Sequence, residues 1–129
     1  MKVKEIMSVH PIYCSPLTKL KEVAQMMVDE NCAGIPVVEN IIDCKLIGMI
    51  TDHDIICRAL ARGLNPLEMT AGECMSQSCV SVHLEASIDD CYKIFKEHGL
   101  QLLSVIDDKG ACRGVISYTD LREVFLDVK

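Results

Sequence analysis

Apolar residues at helical spacing recur along the chain. Leu20, Val23, Ala24 and Met27 follow a three-four spacing, and so do Ile88, Cys91, Tyr92 and Phe95. That spacing lays one apolar stripe along a helix. Each predicted helix leads into an apolar run of strand length, Ile35-Pro36-Val37-Val38 or Leu103-Ser104-Val105-Ile106,. A turn follows, plainest at Asp107-Asp108-Lys109-Gly110,. The next strand, Leu46-Ile47-Gly48-Met49-Ile50 or Arg113-Gly114-Val115-Ile116, runs into a helix that starts at Thr51 or Ser117. The first of these helices ends near Arg62-Gly63, where glycine suits a helix stop. Ser87-x-x-Asp90 has the form of a helix cap. Short strands around Ile12-Tyr13-Cys14 and Val80-Ser81-Val82 complete a β-α-β-β-α order in each half.

The halves are one pattern written twice. Ile6-Met7-Ser8 recurs as Cys74-Met75-Ser76, and Pro36-Val37-Val38-Glu39 as Ser104-Val105-Ile106-Asp107, both at an offset of 68. Gly48 to Ile55 recurs as Gly114 to Leu121 at 66, which places a two-residue difference in the turn before the glycine. The boundary falls near Gly63-Leu64-Asn65-Pro66, giving repeats 1–64 and 65–129. A sheet of so few strands does not stand alone in water. The expected fold is therefore α/β (α+β): tandem β-α-β-β-α repeats packed sheet to sheet with pseudo-two-fold symmetry and two equivalent clefts.

Composition narrows the function. Half of the 129 residues are hydrophobic, 25% are charged, and the formal net charge is -6. A chain this size can bury a full core. It lacks the basic footprint that a phosphate backbone or an anionic membrane surface demands, so neither nucleic acid nor membrane is expected as a partner. No apolar run is long enough to cross a bilayer, and residues 1–7 hold no apolar stretch of a signal peptide,. A cytoplasmic location is expected.

The eight cysteines form no C-x-x-C pair, and the closest two, Cys74 and Cys79, lie five apart. That spacing is outside the usual zinc patterns. Most sit in apolar stretches and read as small buried hydrophobes in a reducing compartment. Cys57 stands four residues after His53 and could share a helix face with it, but two ligands alone do not make a zinc site. No metal is expected. The four histidines share no repeat position, and no Ser-His-Asp, Cys-His or paired-carboxylate arrangement can be argued from the spacing. No catalytic residue is assigned, and an enzyme is not expected.

The chemistry-bearing motif is Gly-h-h-[Thr/Ser]-x-x-Asp-h, where h is apolar. It occurs at Gly48 to Ile55 and at Gly114 to Leu121. A strand delivers Thr51 or Ser117 to a helix start, where backbone N–H groups and the helix dipole favour an anion. Three residues on, Asp54 or Asp120 offers a carboxylate that can accept from two sugar hydroxyls. The same pattern is also a helix capping box and needs no ligand. Both readings stand at this point.

The chain resembles a CBS domain pair. The resemblance rests on Ile6-Met7-x-x-x-Pro11, on Gly34-Ile35-Pro36-Val37-Val38 and on Gly48-Met49-Ile50-Thr51-Asp52-His53-Asp54-Ile55. Ala61-Arg62-Gly63-Leu64-Asn65-Pro66 with Thr70-Ala71-Gly72-Glu73 is similar to small stand-alone bacterial members of the hypoxic-response kind. The resemblance implies a regulatory, energy-sensing module that binds AMP, ADP, ATP or S-adenosylmethionine in inter-repeat clefts, with no obligatory cofactor. It implies that Asp holds ribose and Thr or Ser lies near phosphate. One cleft would join Thr51 and Asp54 to Ser76, Val80, Leu100 and Gln101. The other would join Ser117 and Asp120 to Ser8, Ile12, Cys32 and Ala33. His53 stands where similar proteins often carry Arg, and Arg58, Arg62 and Arg122 follow on the helices, as phosphate contacts or as a solvated face. Leu102-Leu103-Ser104 replaces Gly34-Ile35-Pro36 in the second repeat, and Cys79 replaces Pro11.

A homodimer is expected, because apolar faces such as Val23, Met26, Met27 and Val28 exceed what one module buries. The output would pass through a partner protein whose identity the residues do not give. The alternative reading is a dimerisation or protein-interaction module with empty clefts.

Overall fold

A computed structural model describes residues 1–8, 12–77 and 80–127. Pro11 and Cys79, which differ between the repeats, lie outside the described residues. The chain divides into two compact units, Ile12–Cys79 and Met1–Pro11 with Val80–Lys129.

In the first unit, α1 (Leu20–Glu30) buries Leu20, Val23 and Met27, while Ala24 of the predicted stripe is exposed. Asn31, left-handed at φ 51°, ends it by donating its N–H to the carbonyls of Met27 and Val28,. Strand β1 (Gly34–Val38) is buried along its whole length and pairs antiparallel with β2 (Leu46–Thr51). Burial on both faces accounts for its unbroken apolar run. The strand expected at Ile12-Tyr13-Cys14 is reduced to one parallel bridge, Cys14 to Val37. The chain turns away at once, held by the Ser15 N–H donating to Thr18 Oγ1 at 3.0 Å,. Helix α2 (Asp52–Arg58) stops earlier than the sequence implied, at Ala59. A 3-10 turn, Leu60–Arg62, carries on to Gly63, left-handed at φ 74°,. A short helix that the periodicity did not reveal, α3 (Ala71–Cys74), is capped by Glu73 Oε1 accepting from the Thr70 N–H at 3.1 Å,. Cys14, Leu20, Val23, Ile35, Val37, Ile50, Ala59, Ala71 and Cys74 fill the core.

In the second unit, β3 (Ser81–His83) lies parallel to β4 (Leu102–Ile106), which pairs antiparallel with β5 (Cys112–Ser117). Helix α4 (Ile88–His98) buries Ile88, Cys91 and Phe95, and Ser87 caps it by accepting from the Asp90 N–H at 3.1 Å. Tyr92, the remaining stripe residue, is half-buried and meets Tyr118 and Phe125 of α5 (Tyr118–Asp127). Val3, Val82, Ile88, Cys91, Phe95, Leu103, Val105, Ile116 and Leu121 form the core. Ser104, in the place of Pro36, is fully buried with its Oγ unbonded. An unmet buried hydroxyl costs about 1–3 kcal/mol.

The two hairpins share one irregularity, a register shift at Val37/Val38 and at Val105/Ile106. They differ in loop length, with seven residues at 39–45 and five at 107–111, and this is the source of the change in offset.

The repeat openings are exchanged between the units. The Val3 N–H donates to Ala86 O at 2.9 Å and the Ser8 N–H to Val115 O at 2.9 Å, so the opening of repeat one belongs to the unit built on repeat two. Conversely, the Ser76 N–H donates to Met49 O at 2.9 Å and the Met49 N–H to Ser76 O at 3.1 Å. Both glycines of the repeated motif are required for this. A Cβ on Gly48 would meet Ser76 O and Met75 Sδ, and one on Gly114 would meet Ser8 O and Met7 Sδ.

Candidate functional site

Strand β2 carries Thr51 to the start of α2, and the expected reciprocal cap forms there. Thr51 Oγ1 accepts from the Asp54 N–H at 3.1 Å, and Asp54 Oδ2 accepts from the Thr51 N–H at 2.9 Å. The other carboxylate oxygen, Oδ1, accepts from Ser76 Oγ at 3.4 Å and lies 3.9 Å from Arg58 Nε. The structure thus brings together Thr51, Asp54 and Ser76.

Arg58 has partners within the chain, although its side chain is 45% exposed. It donates from Nη1 to Met75 O at 2.8 Å and from Nη2 to Ser76 Oγ at 3.4 Å, tying α2 to the opening of the second repeat. Arg58, Glu73, Met75, Ser76 and Gln77 line an open, mainly polar groove of about 530 Å³.

The amides at the start of α2 are already taken. The Asp52 N–H donates to Ala33 O at 2.9 Å, the His53 N–H to Asp52 Oδ1 at 2.7 Å, and the Asp54 N–H to Thr51 Oγ1. Asp52 and Asp54 also make the first turn acidic. His53 stands against Cys57, with Nε2 and Sγ 3.3 Å apart.

The second copy of the motif is looser. Ser117 Oγ accepts from the Asp120 N–H at 3.0 Å, and Asp120 itself is exposed. The Tyr118 N–H donates to Gln101 O at 2.9 Å, mirroring the bond from Asp52 to Ala33. Ser8 joins this unit through its bridge to Val115.

Within a unit, therefore, Ala33 neighbours the Thr51 motif and Gln101 neighbours the Ser117 motif. Ile12 and Cys32 pack against the core of the first unit, and burial pushes the Cys32 thiol up. Val80 and Leu100 pack against the core of the second.

One feature escaped the sequence. Asp89, Tyr92, Tyr118, Arg122, Phe125 and Leu126 line a mainly apolar groove of about 360 Å³ between α4 and α5. The signal was there in principle: Tyr92, Phe95, Tyr118 and Phe125 are four of only five aromatic residues in the chain. Among the described residues no three His, Cys, Asp or Glu side chains cluster to hold a metal, and no helix is long and apolar enough to cross a membrane.

Comparison with known proteins places these features. An uncharacterized protein of Methanopyrus kandleri is 29% identical over 110 residues, which is 85% of this chain but only 55% of that protein's length. Hypoxic response protein 1 of Mycobacterium tuberculosis is 32% identical over 102 residues, covering 79% of this chain and 69% of that protein. A solved structure of Hypoxic Response Protein I with two coordinated zinc ions superposes with a TM-score of 0.85 at 28% identity, over 95% of this chain and 98% of that one. A CBS domain pair crystallised with 5-methylthioadenosine and S-adenosyl-L-methionine superposes with a TM-score of 0.86 at 26% identity, over 100% of this chain and 98% of that one. The CBS domain model matches twice, at residues 3–60 and 71–127, and the chain belongs to the CBS domain family.

Proposed function

We propose that this CBS pair is a regulatory, non-catalytic cytoplasmic module that binds an adenosine-containing ligand: AMP, ADP, ATP or S-adenosylmethionine. The observation that carries the reading is one arrangement formed twice, a hydroxyl capping a helix directly after a strand with a carboxylate three residues on, at Thr51/Asp54 and Ser117/Asp120. The related pair that was crystallised with two adenosine compounds supports the ligand class.

The two sites differ in readiness. Asp54 already accepts from Thr51 and Ser76, whereas Asp120 is exposed, so ribose capture falls first to Asp120. With the α2 amides occupied, a phosphate at the first site would rely on side chains rather than on the helix end. The remaining contacts of each cleft would come from Ser8, Ile12, Cys32 and Ala33 or from Ser76, Val80, Leu100 and Gln101. The module would work as a homodimer and pass its state to a partner protein.

A hydrogen bond to a charged carboxylate contributes about 1.5–3 kcal/mol. Asp120→Ala should therefore weaken binding roughly ten- to a hundredfold. Calorimetry with each of the four compounds at millimolar concentration tests this, and no heat from any of them ends the sensor reading. Binding that survives both Asp54→Ala and Asp120→Ala would keep the sensor and remove these residues from it.

The second reading, a ligand-free dimerisation or interaction module, draws on the reciprocal cap of Asp54, which accounts for the first motif without a ligand. It expects Asp54→Ala to cost about 1 kcal/mol of stability and no nucleotide to raise the melting temperature.

A further inference from the structure

A helix start usually welcomes a phosphate, but the start of α2 does not. Its leading amides are engaged within the chain. The Asp52 N–H donates to Ala33 O, the His53 N–H to Asp52 Oδ1 and the Asp54 N–H to Thr51 Oγ1. The Thr51 N–H just before them donates to Asp54 Oδ2. An anion could take any of these amides only by breaking a bond that already exists.

The charges around this turn oppose a phosphate as well. Asp52 and Asp54 set two carboxylates in it. The Asp54 side chain is only 13% exposed, so solvent screens it little, while Asp52 is exposed. Arg58 lines the neighbouring groove together with Glu73, and it is already engaged with Met75 O, Ser76 Oγ and Asp54. Arg62 stands on the turn beyond, exposed to solvent, where an ion pair contributes little,. His53 Nε2 is taken up with Cys57 Sγ. The second motif differs at one telling position. Tyr118 stands in the place of Asp52, and the acidic residue in the first turn of α5 is Asp120.

We propose that the Thr51–Asp54 site selects an adenosine compound whose 5′ substituent is uncharged or cationic, a thioether or a sulfonium, over one that carries a 5′ phosphate. The inference rests on the adenosine-binding reading above and adds the specificity of one of its two sites. A ribose whose hydroxyls donate to Asp54 keeps its 5′ substituent beside the same turn. A phosphate there meets two carboxylates and no unengaged amide. A sulfonium is attracted by the same two charges, and a thioether is indifferent to them. Asp52 sets the preference through its charge, because it is the carboxylate that the second motif lacks.

The test is calorimetry on the full chain in magnesium-free buffer, with 5′-methylthioadenosine, S-adenosylmethionine, AMP and ATP as probes. Asp120→Ala weakens the second motif, so that the first is read alone. In that variant the thioether and the sulfonium should bind about tenfold or more tightly than AMP, with ATP weakest. Adding Asp52→Asn, which keeps an oxygen to accept the His53 N–H, should narrow the gap roughly threefold by raising the affinity for AMP. With Asp54→Ala in place of Asp120→Ala, the preference should vanish. Three results would each overturn the inference and leave the sensor reading standing: AMP binding the Asp120→Ala variant as tightly as the thioether does, a gap that Asp52→Asn leaves unchanged, or binding to the unsubstituted chain that Asp120→Ala abolishes for all four probes. No heat from any probe with the unsubstituted chain ends the sensor reading and this inference together.

Discussion

Gly48 runs so close to Ser76 that a Cβ on Gly48 would stand 2.8 Å from the Ser76 carbonyl oxygen. The neighbouring atom is backbone, which cannot step aside as a flexible side chain would. A glycine in a repeated motif thus marks the point where one repeat receives the opening of the other.

Gly48→Ala should therefore cost about 1–3 kcal/mol, the usual range for overpacking. Gly114→Ala faces the equivalent carbonyl of Ser8 and should behave alike. Gly63→Asn is the contrast: no atom lies within 4 Å of its would-be Cβ, and Asn tolerates its left-handed φ of 74°,. Thermal melts should fall by several degrees for the first two and little for the third.

Arg58→Ala removes the bond to the Met75 carbonyl and the contact with Ser76. Because the Arg58 side chain is 45% exposed, the expected loss is modest, about 0.5–1.5 kcal/mol by urea denaturation,. Arg58→Lys should not restore it, since a single ammonium cannot reach two acceptors from a planar fork. A variant as stable as the parent would show that the contact holds nothing in place.

Much of this was legible in the residues. The stripes on α1 and α4, the paired hairpins and the two helix starts follow from periodicity and capping chemistry, and the change of offset predicted the longer first loop. The exchange of repeat openings was not legible in the helical and strand patterns. Ile6-Met7-Ser8 and Cys74-Met75-Ser76 carry no periodicity, and their partners lie more than a hundred residues away in one case. Ala59 also broke a helix that the sequence carried through to Arg62. Val23 and Met27, counted toward a dimer face, are buried in their own unit, and of that group only Val28 is strongly exposed, at 74%.

At the candidate site the identity of Thr51, Asp54, Ser117 and Asp120 was readable, but their unequal state was not. Whether a carboxylate is occupied depends on Ser76, which another segment brings to it, and on Arg58, four residues along the same helix. The contact of Cys57 with His53 was readable as spacing and became a distance only in three dimensions.

Acid should reveal the link between Lys2, Lys4 and Glu85. The two ammonium groups, at 2.7 and 2.8 Å, hold the Glu85 carboxyl down at about 2, below its ordinary 4.5. A depressed acid stabilises the fold at pH values above its unfolded pKa and loses that contribution as pH falls through its folded one. Wild type should therefore exceed Glu85→Gln in melting temperature above about pH 4.5, and the gap should close toward pH 2. Added salt should shrink it, because all three groups are exposed.

Alkali should act through the buried thiols. Burial pushes Cys14 up to about 12 and Cys91 up to about 11, against an ordinary 9.0. Above pH 9 the unfolded chain releases these protons first, so stability should fall as pH rises from about 9 toward 12. Cys14→Ala and Cys91→Ala should flatten that decline while lowering stability at neutral pH. Under native conditions an alkylating reagent should reach exposed Cys57 before Cys14, Cys74, Cys91 or Cys112, as peptide mapping would show,.

The exchanged openings set an order of events during translation. Residues 12–79 hold everything the first unit needs, so it can close while the ribosome is still making the rest. The segment 1–11 leaves the tunnel before Val80–Lys129 yet must wait for it, a delay of roughly 6–24 seconds at about 5–20 residues per second,. Through that interval Val3, Ile6 and Met7 have no strand to lie against. A segment made before residues 12–79 thus finds its place after them, and a nascent-chain chaperone would meet it uncovered.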